Sequence, residues 1–154
     1  FFNLALMEMA YSLRHQLVAA IIMIDIDNFK QVNDQYGHQM GDYVLERFSN
    51  IVIAKKRTED LYGRYGGEEF IILPRGQLSK ENLYVQCEQI RKAVENFEFR
   101  FGETCIRLTA SLGFHLRKVK GSDGKKTLLE LIQKADEALY LAKQKGKNRT
   151  ESIS

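Results

Sequence analysis

One proline, two cysteines and three histidines in 154 residues close off several kinds of small protein. Cys87 and Cys105 are too few for a disulfide framework and lack the spacing of a metal site, although a single bridge between them stays open. Two scattered thiols suit a reducing cytoplasm, and both are expected to pack as small apolar groups. His15, His38 and His115 lie far apart and show no ligand spacing. No repeat and no low-complexity segment interrupts the chain. No apolar run approaches the roughly 20 residues that a membrane helix needs, and no secretory signal pattern opens the sequence. The formal charge of +3 and pI near 8.8 are too mild to argue for nucleic acid, and no basic-aromatic groove is evident. This part of the protein is therefore expected to touch neither nucleic acid nor membrane.

What remains is an ordinary globular composition, 44% hydrophobic and 28% charged, long enough for one domain over residues 1–154. The chain opens on Phe1-Phe2 without an initiator methionine, so it is expected to be the C-terminal part of a longer protein. A loose helical stripe runs from Leu4 to Leu13. The run VAAIIMI, residues 18–24, is apolar throughout and reads as a strand buried on both faces. A short helix over 28–36, closed by Gly37, and a longer one over 42–56 follow. Residues 61–65 and 69–73 form a hairpin around Gly66-Gly67, whose turn calls for positive φ, and Pro74 stops its second strand. Ser79 caps a helix to about 97, residues 107–116 form a strand, and Thr127 with Glu130 is a capping box for a last helix that Gly146 ends. Two helices between the first strand and the hairpin exclude a doubly wound sheet. The economical reading is α+β, a mainly antiparallel sheet with helices on one face.

Asp25 and Asp27 end the buried strand, where aspartate is disfavoured. Asp27 or Asn28 suits a helix cap, whereas Asp25 lies too early for one. If the hairpin neighbours this strand, Asp25 and Glu68 converge at one edge, and a divalent cation would relieve their repulsion. The helix starting near Asn28 offers open N–H groups and a positive dipole end to phosphate at the same edge. Asn33 and Asp42 together match the hydrogen-bonding edge of guanine; alternatively, one lies in an exposed turn and the other caps a helix. Lys143 and Lys147, one helical turn apart by spacing, either neutralise a triphosphate or form a solvated helix end.

Three blocks carry a resemblance. MIDIDNFKQVNDQYGHQMGD (23–42), RYGGEEF (64–70) and ALYLAKQKGKNR (138–149) resemble the GGDEF family of diguanylate cyclases, in order and at suitable spacing, over nearly the whole chain. The resemblance implies a palm-like α/β fold of the nucleotidyl-cyclase, ferredoxin-like kind. It also implies condensation of two GTP into cyclic di-GMP and two pyrophosphates. Asp25 and Glu68 would bind magnesium, or manganese, through their side chains and Ile26 through its carbonyl. Asn33 and Asp42 would read guanine, while the N–H groups of Asn28 and Phe29, with Lys143 and Lys147, would hold phosphate. Glu69 would help to place the reacting hydroxyl. Arg57 and Asp60, in an RxxD pattern before the glycines, would bind cyclic di-GMP as inhibitor.

By the same resemblance the working unit is a cytoplasmic homodimer, membrane-anchored in the full-length protein if at all. Departures are few. Lys147 stands where many members have arginine, Glu68 replaces the aspartate of the motif, and a DxLTGLxNR-like segment that usually precedes the first helix is missing. The rival reading is a catalytically silent module that binds GTP or cyclic di-GMP.

Overall fold

In a computed structural model describing residues 1–153, the chain folds as α1 (Phe2–Arg14), β1 (Val18–Ile26), α2 (Phe29–Tyr36), α3 (His38–Lys55), β2 (Leu61–Gly66), β3 (Glu69–Leu73), α4 (Lys80–Glu95), β4 (Phe99–Phe101), β5 (Thr104–Ile106), β6 (Ala110–Lys118), α5 (Gly124–Gln144) and β7 (Thr150–Ser152). The main sheet has the order β2-β3-β1-β6-β7. Every pairing in it is antiparallel except β6 with β7. That exception follows from α5, which crosses over between them.

β1 lies at the centre because its side chains can be buried on both faces. Ala20, Ile22, Ile24 and Ile26 join Phe48, Val52, Ile90 and Val94 of α3 and α4. Ala19, Ile21 and Met23 join Ala5 and Met9 of α1 and Leu131, Ala135 and Leu139 of α5. The helices therefore cover both faces of the sheet, which corrects the one-face expectation. A strand without an alternating polar side needs a partner layer on each face. The alternation also fixes where the acidic pair points. Asp25 and Asp27 share the odd-numbered face with α5.

Several boundaries differ from the sequence reading. Gly37, at φ 85°, closes α2 and opens α3 with no linker, so α3 starts at His38 and Asp42 sits inside it rather than at its cap. Asp123, not Thr127, caps α5, accepting from the Lys126 N–H at 2.9 Å, and the Thr127 hydroxyl donates to the Asp123 carbonyl. A free aspartate one turn upstream extends the helix past the capping box. β6 begins at Ala110, three residues late, because 104–106 turn back to pair with 99–101. Ser79 caps α4 as expected, accepting from Asn82 N–H at 3.1 Å. Cys87 is buried and Cys105 exposed, both as free thiols, so only the first is a packing residue.

Candidate active site

Asp25 stands opposite Glu69 in the β1–β3 ladder, and the Ile26 N–H reaches the Glu68 carbonyl at 3.4 Å. The hairpin is thus the strand's neighbour, and Asp25, Ile26, Glu68 and Glu69 share one edge. Asp25 is only 6% exposed. Its Oδ2 is 2.9 Å from Lys143 Nζ. Burial pushes the Asp25 carboxyl up from its ordinary 3.8 to about 6; Lys143 opposes the rise by hydrogen bond and charge, and Glu68 and Glu69 add to it. Among the described residues Glu68 and Glu69 take part in no ion pair. This edge carries excess negative charge around a poorly solvated carboxylate.

Neither Gly66 nor Gly67 has positive φ, contrary to expectation. A bulge between Arg64 and Gly66 takes up the irregularity. The Arg64 guanidinium donates twice to the Gly67 carbonyl, at 2.8 and 2.6 Å. The bulge and this brace close the turn in place of left-handed residues. Glu69 folds back over Gly66, where a Cβ would lie 3.4 Å from its Oε2.

At the other side of the same edge, Asn28 adopts φ 58° and no side chain caps α2. With no side-chain cap and no acidic residue in its first turn, α2 leaves the positive end of its dipole without a side-chain partner. The Lys147 ammonium donates to Asn28 Oδ1. Lys147 lies beyond the end of α5 in a left-handed conformation. It therefore does not share a helical face with Lys143, yet both lysines reach this edge. Asp27 is not a cap. It is 3% exposed and accepts from Thr109 and Ser111 hydroxyls, both at 2.7 Å, and from the Asn148 N–H at 3.0 Å. Three donors satisfy a buried carboxylate and tie β1 to β6 and to the turn after α5.

Asn33 is half-buried on α2 and Asp42 exposed on α3. Gly41 lies beneath Asn33, where a Cβ would come within 1.9 Å of Asn33 Oδ1. Any side chain at 41 would displace that amide. Beside Asp42 a groove of about 430 Å³ runs to the hairpin, lined by Leu45, Ser49, Tyr62 and Arg64. Farther off, Asp60 is 4% exposed. Its carboxylate accepts from the main-chain N–H groups of Arg57 at 3.1 Å and Arg75 at 3.0 Å, and from Gln86 Nε2 at 2.6 Å. Asp60 is spent inside the protein, whereas Arg57 is half-exposed.

Arg64, Gly41 and Asn148 escaped the sequence reading. Arg64 lies two residues before the glycine pair and Gly41 precedes Asp42, so position was the only available signal. No cluster of three or more His, Cys, Asp or Glu suited to a metal occurs among the described residues. The available donors are two carboxylates and a main-chain carbonyl, all hard oxygens. That set fits a hard divalent cation, which takes oxygen ligands and can complete its shell with water and phosphate.

The sequence matches the family described as "Diguanylate cyclase, GGDEF domain" over residues 1–149. It is 38% identical to diguanylate cyclase A of Treponema denticola, over 97% of this chain and 40% of that protein. It is likewise 38% identical to diguanylate cyclase DosC of Escherichia coli K12, over 94% of this chain and 30% of that one. The chain thus spans well under half the length of these relatives. Among solved structures it resembles the GGDEF domain of DgcB from Caulobacter crescentus in complex with cyclic di-GMP, with TM-score 0.87, 28% identity, and 98% and 87% of the two chains covered. It also resembles the active GGEEF domain of a diguanylate cyclase from Vibrio cholerae, with TM-score 0.81, 28% identity, and 99% and 96% covered. With its carboxylate edge, open helix end and two lysines in that fold, the chain belongs to the GGDEF family of diguanylate cyclase domains.

Proposed function

We propose that this domain condenses two molecules of GTP into cyclic di-GMP with release of two pyrophosphates. The observation that carries this reading is the register of Asp25 against Glu69, which assembles carboxylates, Lys143 and the α2 N-terminus on one edge. The 3′-oxygen of one GTP attacks the α-phosphorus of the other, the bond to the β-phosphate breaks, and the hydroxyl proton is lost. A second, equivalent attack closes the ring. Asp25, Glu68 and the Ile26 carbonyl would hold magnesium or manganese, which when bound would supply charge neutralisation at the phosphates. Lys143 and Lys147 offset phosphate charge, and the N–H groups of Asn28 and Phe29 seat it. Asn33 and Asp42 select guanine. Glu69 receives or directs the hydroxyl proton. These groups act by position and by preset charge.

One such edge serves one GTP, so two domains must face each other, and the active species is a homodimer. Arg57 receives the product as inhibitor, and buried Asp60 fixes the loop that presents it. Glu68→Ala tests the central assignment. In the full-length protein with GTP and Mg²⁺, chromatography should show cyclic di-GMP for the parent and a loss of at least about 100-fold for the variant. No product from the parent at high protein concentration would favour the silent binding module instead.

A further inference from the structure

The turn that carries Lys147 is conformationally expensive. α5 ends with the Lys147 N–H on the Ala142 carbonyl at 3.0 Å and the Gly146 N–H on the Lys143 carbonyl at 3.3 Å. With Gly146 at φ 112° this is a Schellman ending, complete in itself. The left-handed run nevertheless continues through two non-glycine residues, Lys147 at φ 61° and Asn148 at φ 45°. Lysine gains nothing from that region, so something else must hold it there.

The holder is Asn148. Its N–H donates to Asp27 Oδ2 at 3.0 Å, its Oδ1 accepts from Arg91 Nη1 at 2.8 Å, and its Nδ2 donates to Glu95 Oε1 at 2.8 Å. Arg91 is itself fixed. Its Nε bonds both Glu88 oxygens at 3.0 and 3.1 Å, and its Nη1 bonds Glu95 Oε2 at 2.9 Å. Glu88 also accepts from the Thr150 hydroxyl at 2.8 Å. A chain of charge-assisted bonds therefore runs from α4 through Asn148 to Asp27, two residues past Asp25. Lys147 is the residue that this chain holds in a left-handed state, and its ammonium ends on Asn28.

We propose that Asn148, gripped by Arg91 and Glu95, is a positioning residue that aims Lys147 at the triphosphate. The inference rests on the reading that Lys147 holds phosphate. α5 ends without help from the asparagine side chain, so the grip is not needed to stop the helix. It determines where the lysine points. Released from it, Lys147 relaxes toward ordinary backbone geometry and its ammonium leaves the phosphate seat.

The test is a double-mutant cycle in the full-length protein. Asn148→Gly removes the side-chain grip yet tolerates positive φ. Binding of α,β-methylene GTP, which cannot be cleaved at the reacting bond, is measured with Mg²⁺ for Asn148→Gly, Lys147→Ala and the pair. Asn148→Gly should weaken binding about fivefold to tenfold, and by less than about twofold in the Lys147→Ala background. Glu95→Ala, at a half-exposed position, should act in the same direction and more weakly. Equal loss in both backgrounds, or no loss from either Asn148→Gly or Glu95→Ala, overturns the inference. A Lys147→Ala protein that binds as tightly as the parent shows instead that this lysine holds no phosphate, and the inference falls with that reading.

Discussion

Asp25 is placed where an aspartate is least welcome, at the buried end of a central strand, and that placement can be measured. Its carboxyl is pushed up to about 6, well above the unfolded value near 3.8. The folded state thus binds more protons between those values, and stability declines as pH rises from about 4 to about 6. Above that window the penalty is fully present unless a cation relieves it. Asp25→Asn should therefore stabilise the metal-free domain at pH 7.5 by on the order of 1–2 kcal/mol, and add nothing below pH 4. Mg²⁺ should raise the melting temperature of the parent above pH 6 and have little effect near pH 4.5. Melting curves across pH, with and without Mg²⁺, check both; a variant less stable than the parent at pH 7.5 would refute the linkage. Asp25 was legible in the sequence because an aspartate directly after seven apolar residues, with a second two positions on, contradicts strand propensity. Arg64 and Gly41 were not. An arginine before a turn reads as solvated, and the need for glycine at 41 arises only once Asn33 lies against it.

At the scale of elements, α5 packs directly against the backbone of β6 at Gly113. A Cβ on Gly113 would lie 2.0 Å from the Leu139 N and 2.5 Å from the Ala135 carbonyl oxygen. Backbone cannot yield as a flexible side chain can. Gly113→Ala should cost roughly 3 kcal/mol or more by forcing α5 off the sheet. Because α5 carries Lys143, the loss of activity should follow the loss of urea midpoint, with an unchanged m value. The elements with a long, strong period were readable. The all-apolar β1, the hairpin and the Ser79-capped α4 lie where the pattern puts them. The three-residue strands β4, β5 and β7 are too short to show alternation, and each forms only because a partner strand is brought to it. The two-sided helix cover was implicit in β1, whose unbroken apolar run has no solvent face. Single capping signals were the weak point: Asp27 looks like a cap and is a buried tie, and Thr127 lost its place to Asp123.

For the molecule as a whole, the proposed condensation makes one domain half of an enzyme. On the proposed reading, the carboxylate edge, the α2 N-terminus and the two lysines form one seat for one triphosphate, while cyclic di-GMP needs two α-phosphates attacked by two 3′-hydroxyls. In such a dimer each half would bring its own GTP, and the proposed metal residues of one half would not substitute for those of the other. A protomer lacking Glu68 then disables the dimer it enters. At a fixed amount of full-length parent, an equal amount of Glu68→Ala protein should convert the dimers by random exchange until about a quarter are fully parental, halving the activity per parental protomer. Diluting the parent alone should lower its specific activity as dimers dissociate. Chromatographic product counts from mixtures allowed to exchange fully read both effects. Activity per parental protomer that stays constant on mixing and on dilution would mean that a single domain completes both bonds. The single carboxylate edge would then have to serve both nucleotides in turn, with the linear dinucleotide held in place between the two attacks.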